Sequence, residues 1–164
     1  MKALFIGGIK SGKSFNAEKY TLTLTNKRPL YLATTEFIDD EIKEKIEAHK
    51  RQRQEQFITL EEPLQLYDAL KSRDEVVLVE CLSMWINNML YHNFTTEAIE
   101  GEIEKLFTLP NKIVFVLNDV SATVVPENRL AREFINMSGR VAQMVASGCD
   151  EVYHTIAGIS TRIK

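Results

Sequence analysis

Along this chain, short apolar runs of strand length alternate with longer stretches in which apolar residues recur at helical spacing. The runs predict strands near residues 2 to 6, 30 to 34, 57 to 60, 76 to 80, 112 to 117, 151 to 156 and 159 to 163. The helical spacing predicts helices near residues 13 to 25, 38 to 53, 63 to 72, 83 to 91, 97 to 107 and 128 to 147. Regular strand–helix alternation is the signature of parallel strands joined by crossover helices. The last two strands break it, because only Ala157-Gly158 separates them; they read as a hairpin that ends the sheet with an antiparallel edge strand. No repeat, low-complexity tract or linker interrupts the pattern. The expected fold is therefore α/β, one domain over residues 1–164, with a mostly parallel central sheet, helices on both faces and an antiparallel C-terminal edge. In open sheets of this kind ligands bind beyond the carboxyl ends of the strands.

The first strand end carries the strongest chemical signal. Ala3-Leu4-Phe5-Ile6 runs directly into GGIKSGKS, residues 7 to 14, which fits GxxxxGK[ST] with Gly7, Gly12, Lys13 and Ser14. A strand, a glycine-rich turn and a helix in that order form a phosphate-binding loop: backbone N–H groups turn inward around a polyphosphate, and the positive end of the helix dipole faces the same anion. The expected fold is thus P-loop NTPase-like. Gly7, Gly8, Ile9, Lys10, Ser11, Gly12, Lys13 and Ser14 are expected to bind nucleotide phosphates, with Lys13 reaching the β and γ phosphates and Ser14 taking Mg²⁺. Val76-Val77-Leu78-Val79 ends in Glu80, the expected acidic partner of Ser14 at the magnesium. The run to Leu117 ends in Asn118-Asp119, which faces the same crevice with no role fixed. Leu30-Tyr31-Leu32 is followed by Ala33-Thr34-Thr35, read either as hydroxyls and N–H groups near the phosphates or as a plain helix cap.

Composition narrows the class. The 164 residues are 45% hydrophobic and 26% charged, enough apolar material for a real core, and the net charge of −3 gives no basic footprint for nucleic acid. Two cysteines, each beside an expected strand, point to a reducing compartment rather than a disulfide framework. The N-terminal apolar stretch is too short for a signal peptide or a membrane span. A soluble, cytoplasmic protein is the expectation.

The expected helix over 38–53 places Ile42, Ile46, His49 and Arg53 on one face. His49 lies among Lys43, Lys45, Lys50, Arg51 and Arg53. A neutral imidazole among phosphate-holding cations can attack phosphorus and split one transfer into two steps. The alternative is a hydrogen-bonded core histidine beside a solvated basic helix end. His92 and His154 read as a helix-end and a strand residue without catalytic part, and Trp85 with Met84, Ile86 and Met89 as core or subunit contact. Pro126-Glu127 suits a helix start, with Leu130, Phe134, Val141 and Val145 as the buried stripe of that helix.

The combination of GGIKSGKS, Tyr31-Leu32-Ala33-Thr34, Asp39-Asp40-Glu41, Ile46-Glu47-Ala48-His49-Lys50, Thr59-Leu60-Glu61-Glu62-Pro63, Val79-Glu80-Cys81-Leu82, the stretch from Val125 to Phe134 and Gly139-Arg140-Val141 resembles the bifunctional adenosylcobinamide kinase / adenosylcobinamide-phosphate guanylyltransferase family. The resemblance runs from the first strand to Lys164. It implies two reactions of cobalamin biosynthesis: ATP or GTP phosphorylates the terminal hydroxyl of the aminopropanol arm of adenosylcobinamide, and GTP then donates GMP to that phosphate, giving adenosyl-GDP-cobinamide and pyrophosphate. It implies that the guanylylated residue is His49. It also implies that Ala33, Thr34, Thr35, Lys50, Arg51, Gln52 and Arg53 line the guanine nucleotide site, that Glu61 and Glu80 complete it, and that the protein is a homotrimer. The chain departs from the family pattern at Ala48, where many members carry a second histidine, at Gln54 and Phe57, where they carry Pro and Trp, and at Ala142, where Asn is usual. Two other readings of the residues remain: a P-loop small-molecule kinase without a covalent guanylyl step, and a non-catalytic nucleotide-binding regulator.

Overall fold

The computed structural model describes residues 1–36, 55–120 and 125–164. Seven strands form one sheet: β1 (Lys2–Gly7), β2 (Leu30–Ala33), β3 (Ile58–Glu61), β4 (Val77–Glu80), β5 (Ile113–Asn118), β6 (Glu151–Ile156) and β7 (Ile159–Arg162), in the order β3-β2-β4-β5-β1-β6-β7. All neighbours pair parallel except β6 and β7. The described helices are α1 (Lys13–Thr23), α2 (Leu66–Leu70), α3 (Leu82–Tyr91), α4 (Thr96–Thr108) and α5 (Arg129–Gly148). The helix expected over 38–53, which carries His49, lies outside the described residues.

Alternation along the strands decides what covers each face. Leu4 of β1, Leu30 and Leu32 of β2, Val77 and Val79 of β4, and Ile113, Phe115 and Leu117 of β5 share a core with Leu66 of α2, Trp85 and Ile86 of α3, Ile99 and Ile103 of α4, and Val141 and Val145 of α5. The intervening residues Ala3, Phe5, Tyr31, Leu78, Val114 and Val116 meet Ala17 of α1 on the opposite face. A period of two along each strand thus becomes two apolar layers. Trp85 is fully buried and its indole N–H donates to the Leu64 carbonyl at 2.9 Å, so it is a core residue.

Two helix starts and one buried position differ from the sequence expectation for visible reasons. Helix α2 begins at Leu66 instead of 63, because the Glu62 carboxylate accepts from the Leu64 and Gln65 N–H groups at 2.9 and 2.8 Å and holds a turn there. Helix α5 begins at Arg129, within a residue of the expected 128 and after Pro126-Glu127: the Asn128 side chain caps it by accepting from the Ala131 N–H at 3.2 Å. Leu130 is not part of the buried stripe and is 72% exposed. The first turn of α5 precedes its contact with the sheet, and the inner face is carried by Met137, Val141 and Val145, at i, i+4 and i+8.

The β6–β7 hairpin closes the sheet as expected, with Ile156 opposite Ile159 and both turn residues at positive φ, 50° at Ala157 and 82° at Gly158. It is anchored by a small aromatic and acidic cluster. Phe5 stacks on Tyr153 at 4.6 Å, Tyr20 tilts against both, and the Tyr20 and Tyr153 hydroxyls donate to the same Glu151 oxygen. Those two hydrogen bonds, Tyr20's first, hold the Glu151 carboxyl below its usual range, whereas burial chiefly raises both tyrosines. The cluster's stability contribution should therefore be present above the ordinary glutamate pKa of about 4.3 and be lost as pH falls below it. Thermal melts of the protein and of Glu151→Gln from pH 7 to pH 3 test this: the substitution should lower Tm at pH 7 and flatten the acid-induced loss.

Candidate active site

The phosphate loop starts where β1 lies between two strands. Gly7 is opposite Asn118 of β5 and Thr155 of β6, and a Cβ at Gly7 would stand 2.4 Å from the Thr155 carbonyl oxygen, so no side chain fits. The Asp119 N–H donates to the Gly7 carbonyl at 2.9 Å, which fixes the strand end against β5. The loop then folds on itself through the Ser11 N–H to the Gly8 carbonyl at 3.1 Å, with Lys10 at φ 59° and Gly12 at φ 92°. The first intrahelical bond of α1, from Asn16 N–H to the Gly12 carbonyl, follows at 3.1 Å. The earlier N–H groups of α1 thus lie at the loop, the position at which helix N-termini hold anions.

The hairpin turn supports the loop from behind. The Gly158 N–H donates to the Ser11 carbonyl at 2.7 Å, and the Asn16 side-chain amide donates to the Gly158 carbonyl at 2.9 Å and to Ser160 Oγ at 2.8 Å. Contact is so close that a Cβ at Gly12 would come 2.9 Å from Gly158 Cα. Sequence reading missed this support. The Ala157-Gly158 turn is legible as a turn, but no local signal places it against a loop almost the whole chain away.

Lys13 is buried, 6% exposed, and its ammonium donates to the Gly8 carbonyl across the loop at 3.2 Å. It stands ready to exchange that single carbonyl for phosphate oxygens. Ser14 Oγ donates to Glu80 Oε1 at 2.7 Å. The two residues singled out for a metal, 66 positions apart, thus meet, and a hydroxyl and a carboxylate are the hard oxygen donors that Mg²⁺ takes. Ala33 separates Glu80 from Glu61 in the strand register, so Glu61, Ala33 and Glu80 lie level on three adjacent strands at the carboxyl edge.

Thr34 is brought to this edge but turned inward. It is fully buried; its hydroxyl donates to the Cys81 carbonyl at 2.8 Å and accepts from the Cys81 N–H at 3.0 Å, and its own carbonyl accepts from the Asn88 amide at 2.7 Å. Thr34 fastens the end of β2 to the turn after β4, where the Glu80–Cys81 peptide is cis. Thr35 and Ala33 are half-buried beside it. Ser83, which sequence reading did not mark, performs the same fastening one strand over: its Oγ accepts from the Asn118 N–H at 2.8 Å. Burial pushes the Cys81 thiol up to about 12, with the Glu80 charge adding to it, so it stays protonated and unreactive. His92 lies at the C-cap of α3 and meets the Glu36 carboxylate at 2.9 Å; His154 is half-buried in β6. His49, Lys50, Arg51, Gln52 and Arg53 lie outside the described residues.

A nucleotide-sized arrangement follows. The sheet order puts four strand steps between the loop after β1 and Glu61 after β3, about 19 Å at roughly 4.8 Å per step. The loop with Lys13 and Ser14 occupies one end of that edge and the carboxylate of Glu61 the other.

Comparison with known proteins agrees with this architecture. Solved structures similar to the chain include the flagellar accessory protein FlaH from Methanocaldococcus jannaschii, with a TM-score of 0.51 at 12% identity over 98% of this chain and 75% of that one. A KaiC-like protein from the hyperthermophilic archaeon Pyrococcus horikoshii OT3 gives a TM-score of 0.52 at 11% identity over 93% and 69%. At such identities the likeness concerns the fold, which is that of P-loop NTPases. In sequence, the chain is 35% identical to the bifunctional adenosylcobalamin biosynthesis protein CobU of Escherichia coli (strain K12), over 100% of both chains. It is 34% identical to the bifunctional adenosylcobalamin biosynthesis protein CobP of Pseudomonas aeruginosa, over 100% of this chain and 98% of that one. The family described as cobinamide kinase / cobinamide phosphate guanyltransferase matches residues 3–163, and the chain belongs to that family.

Proposed function

We propose that this protein phosphorylates adenosylcobinamide with ATP or GTP and then transfers GMP from GTP to the resulting phosphate through a guanylylated His49, giving adenosyl-GDP-cobinamide. The observation that carries the reading is the meeting of Lys13, Ser14 and Glu80 around one loop at the sheet's carboxyl edge, in a chain that belongs to this family from end to end.

In the first step the loop amides and Lys13 hold the triphosphate while the acceptor hydroxyl attacks the γ-phosphorus; the bond to the β-phosphate oxygen breaks and the hydroxyl proton leaves to solvent. Charge on the departing nucleotide gathers beside Lys13. Mg²⁺ held by Ser14 and Glu80 would supply further neutralisation of the phosphate charge when bound. In the second step a neutral His49 nitrogen attacks the α-phosphorus of GTP and pyrophosphate departs. An oxygen of the cobinamide phosphate then attacks the same phosphorus, the P–N bond breaks, and His49 is regenerated. Ala33, Thr35, Glu61 and the segment Lys50 to Arg53 are assigned to the guanosine portion; the level alignment of Ala33, Glu61 and Glu80 supports a nucleotide laid along the edge from β1 towards β3. Thr34 is assigned a supporting part there. The reading includes a homotrimer in a reducing cytoplasm, for which the two buried free thiols give support. Among the described residues no helix is long and apolar enough to cross a membrane.

Incubation with α-labelled GTP should leave acid-labile, alkali-stable label on the protein, the behaviour of a phosphoramidate. His49→Ala should abolish it, and Lys13→Ala should lower both label formation and cobinamide phosphorylation by roughly a hundredfold or more. Label persisting in His49→Ala would overturn the assignment; phosphorylation of cobinamide with no label in the unsubstituted protein would favour the plain kinase, and nucleotide binding without turnover the regulator.

Labelling should also depend on pH with one sign. An imidazole attacks only when unprotonated, and its ordinary pKa is about 6.5, so the rate of label formation should fall with acid below that region and level off above it. A rate flat from pH 5 to pH 9 would argue against a histidine nucleophile. Light scattering should give a molar mass about three times the 18.8 kDa of one chain.

A further inference from the structure

A cavity of about 550 Å³ lies beside the phosphate loop but on the other face of the sheet from α1, between the ends of β1 and β5 and the middle of α5. Its floor is Ile6 and Asn118, the residue before Gly7 and the residue paired with it. Its wall is one face of α5: Asn136, Ser138, Gly139 and Gln143. Among the described residues, the helix that continues the phosphate loop, α1, packs on the opposite face of the sheet.

Three observations say what it receives. Ser138 is 2% exposed, and its Oγ is buried without a hydrogen-bond partner among the described residues, which is costly unless a ligand or water completes it. Gly139 sits in the interior of a 20-residue helix, where glycine is unfavourable, and a Cβ built on it meets nothing within 4 Å. The missing side chain is not explained by close packing and leaves room for a ligand. The lining is mixed and not cationic: Ile6, Val120, Ile135 and Ala142 supply apolar surface, three carboxamides and a hydroxyl can both donate and accept, Asp119 contributes a carboxylate, and the one guanidinium, that of Arg140, is engaged by Glu100 at 2.5 Å. Such a lining disfavours a polyphosphate and suits neutral amides and alcohols.

We infer that this cavity is the acceptor subsite, which takes the amide-linked aminopropanol arm of cobinamide and presents its hydroxyl to the phosphate held by the loop. The inference rests on the proposed function for the identity of the acceptor. The volume admits an arm with one or two amides, while the corrin macrocycle stays outside. Entry on the α5 side brings the acceptor to the carboxyl edge of β1 from the direction opposite α1, so donor and acceptor approach Gly7 without competing for the same groups. Asn118 and Ser138 are then positioning residues for the arm.

Steady-state kinetics of Gly139→Leu and of the double substitution Asn136→Ala, Gln143→Ala test the inference, with nucleotide affinity measured separately by fluorescence. Leucine at 139 fills the cavity and favours the helix, so the variant should melt no lower than the unsubstituted protein. Its KM for cobinamide should rise at least tenfold while the nucleotide Kd stays within twofold; the double substitution, which removes two amides and widens the cavity rather than filling it, should raise the same KM severalfold. A KM for cobinamide within twofold of the unsubstituted value in both variants would overturn the inference and leave the proposed function standing. A parallel weakening of nucleotide affinity would overturn it as well, by making the cavity part of the donor site. Failure of the unsubstituted protein to use cobinamide at all would bring down the inference together with the proposed function.

Discussion

The Ser11 carbonyl accepts a hydrogen bond from the Gly158 N–H at 2.7 Å, and the geometry of the whole site hangs on that contact. A glycine-rich loop has the freedom to wrap phosphates, but the same freedom costs entropy when it is fixed. Here the cost is offset by a rigid neighbour. A two-residue hairpin turn presses on the loop from behind, Asn16 bonds across to Gly158 of the turn and to Ser160 of β7, and Gly7 is wedged between β5 and β6 too tightly for any side chain. The loop is therefore held in shape by its neighbours in the fold, and Lys13 rests on a carbonyl of the loop itself.

The same logic extends along the carboxyl edge. Ser83 fastens the end of β5, and Thr34 fastens the end of β2 to the turn after β4, each with a hydroxyl bonded to the backbone of a neighbouring element. These residues commit their hydrogen bonds to geometry, which leaves Glu80 at hydrogen-bonding distance from Ser14. The hairpin that carries the antiparallel edge strand, at the margin of the sheet, braces the loop Gly7 to Ser14. Loss of the Glu151 cluster would thus reach the phosphate site through β6 and its turn, without touching a ligand.

What was legible in the sequence follows from which signals are local. All seven strands fall where the sequence predicts them; for the inner strands β1, β2, β4 and β5 the reason is that a parallel strand covered on both faces must be apolar throughout. The loop Gly7 to Ser14 is legible because its chemistry needs a fixed spacing, and Glu80 because it ends such a run. Leu130 misled because helical periodicity says which residues share a face but not where along the helix the sheet begins to cover it. Thr34 was legible as an edge residue, yet its inward turn depends on Cys81 and Asn88, which no spacing announces. The support from Gly158 and the cavity at α5 were invisible for the same reason: each joins segments distant in the chain.

Family membership and local physics divide the remaining question between them. A P-loop fold alone is compatible with many chemistries, as the low-identity likeness to FlaH and to the KaiC-like protein illustrates. What distinguishes this chain is what surrounds the loop. On the α1 side and towards β3 the edge carries Lys13, Ser14, Glu80 and Glu61; on the α5 side it carries amides, apolar side chains, Asp119 and a buried hydroxyl. A transferase must keep donor and acceptor apart until their reacting atoms meet, since a single site attractive to both would bind one at the expense of the other. The sheet offers such a separation: β1 is one strand thick, and its two faces, ending at Gly7, lead to chemically different surroundings.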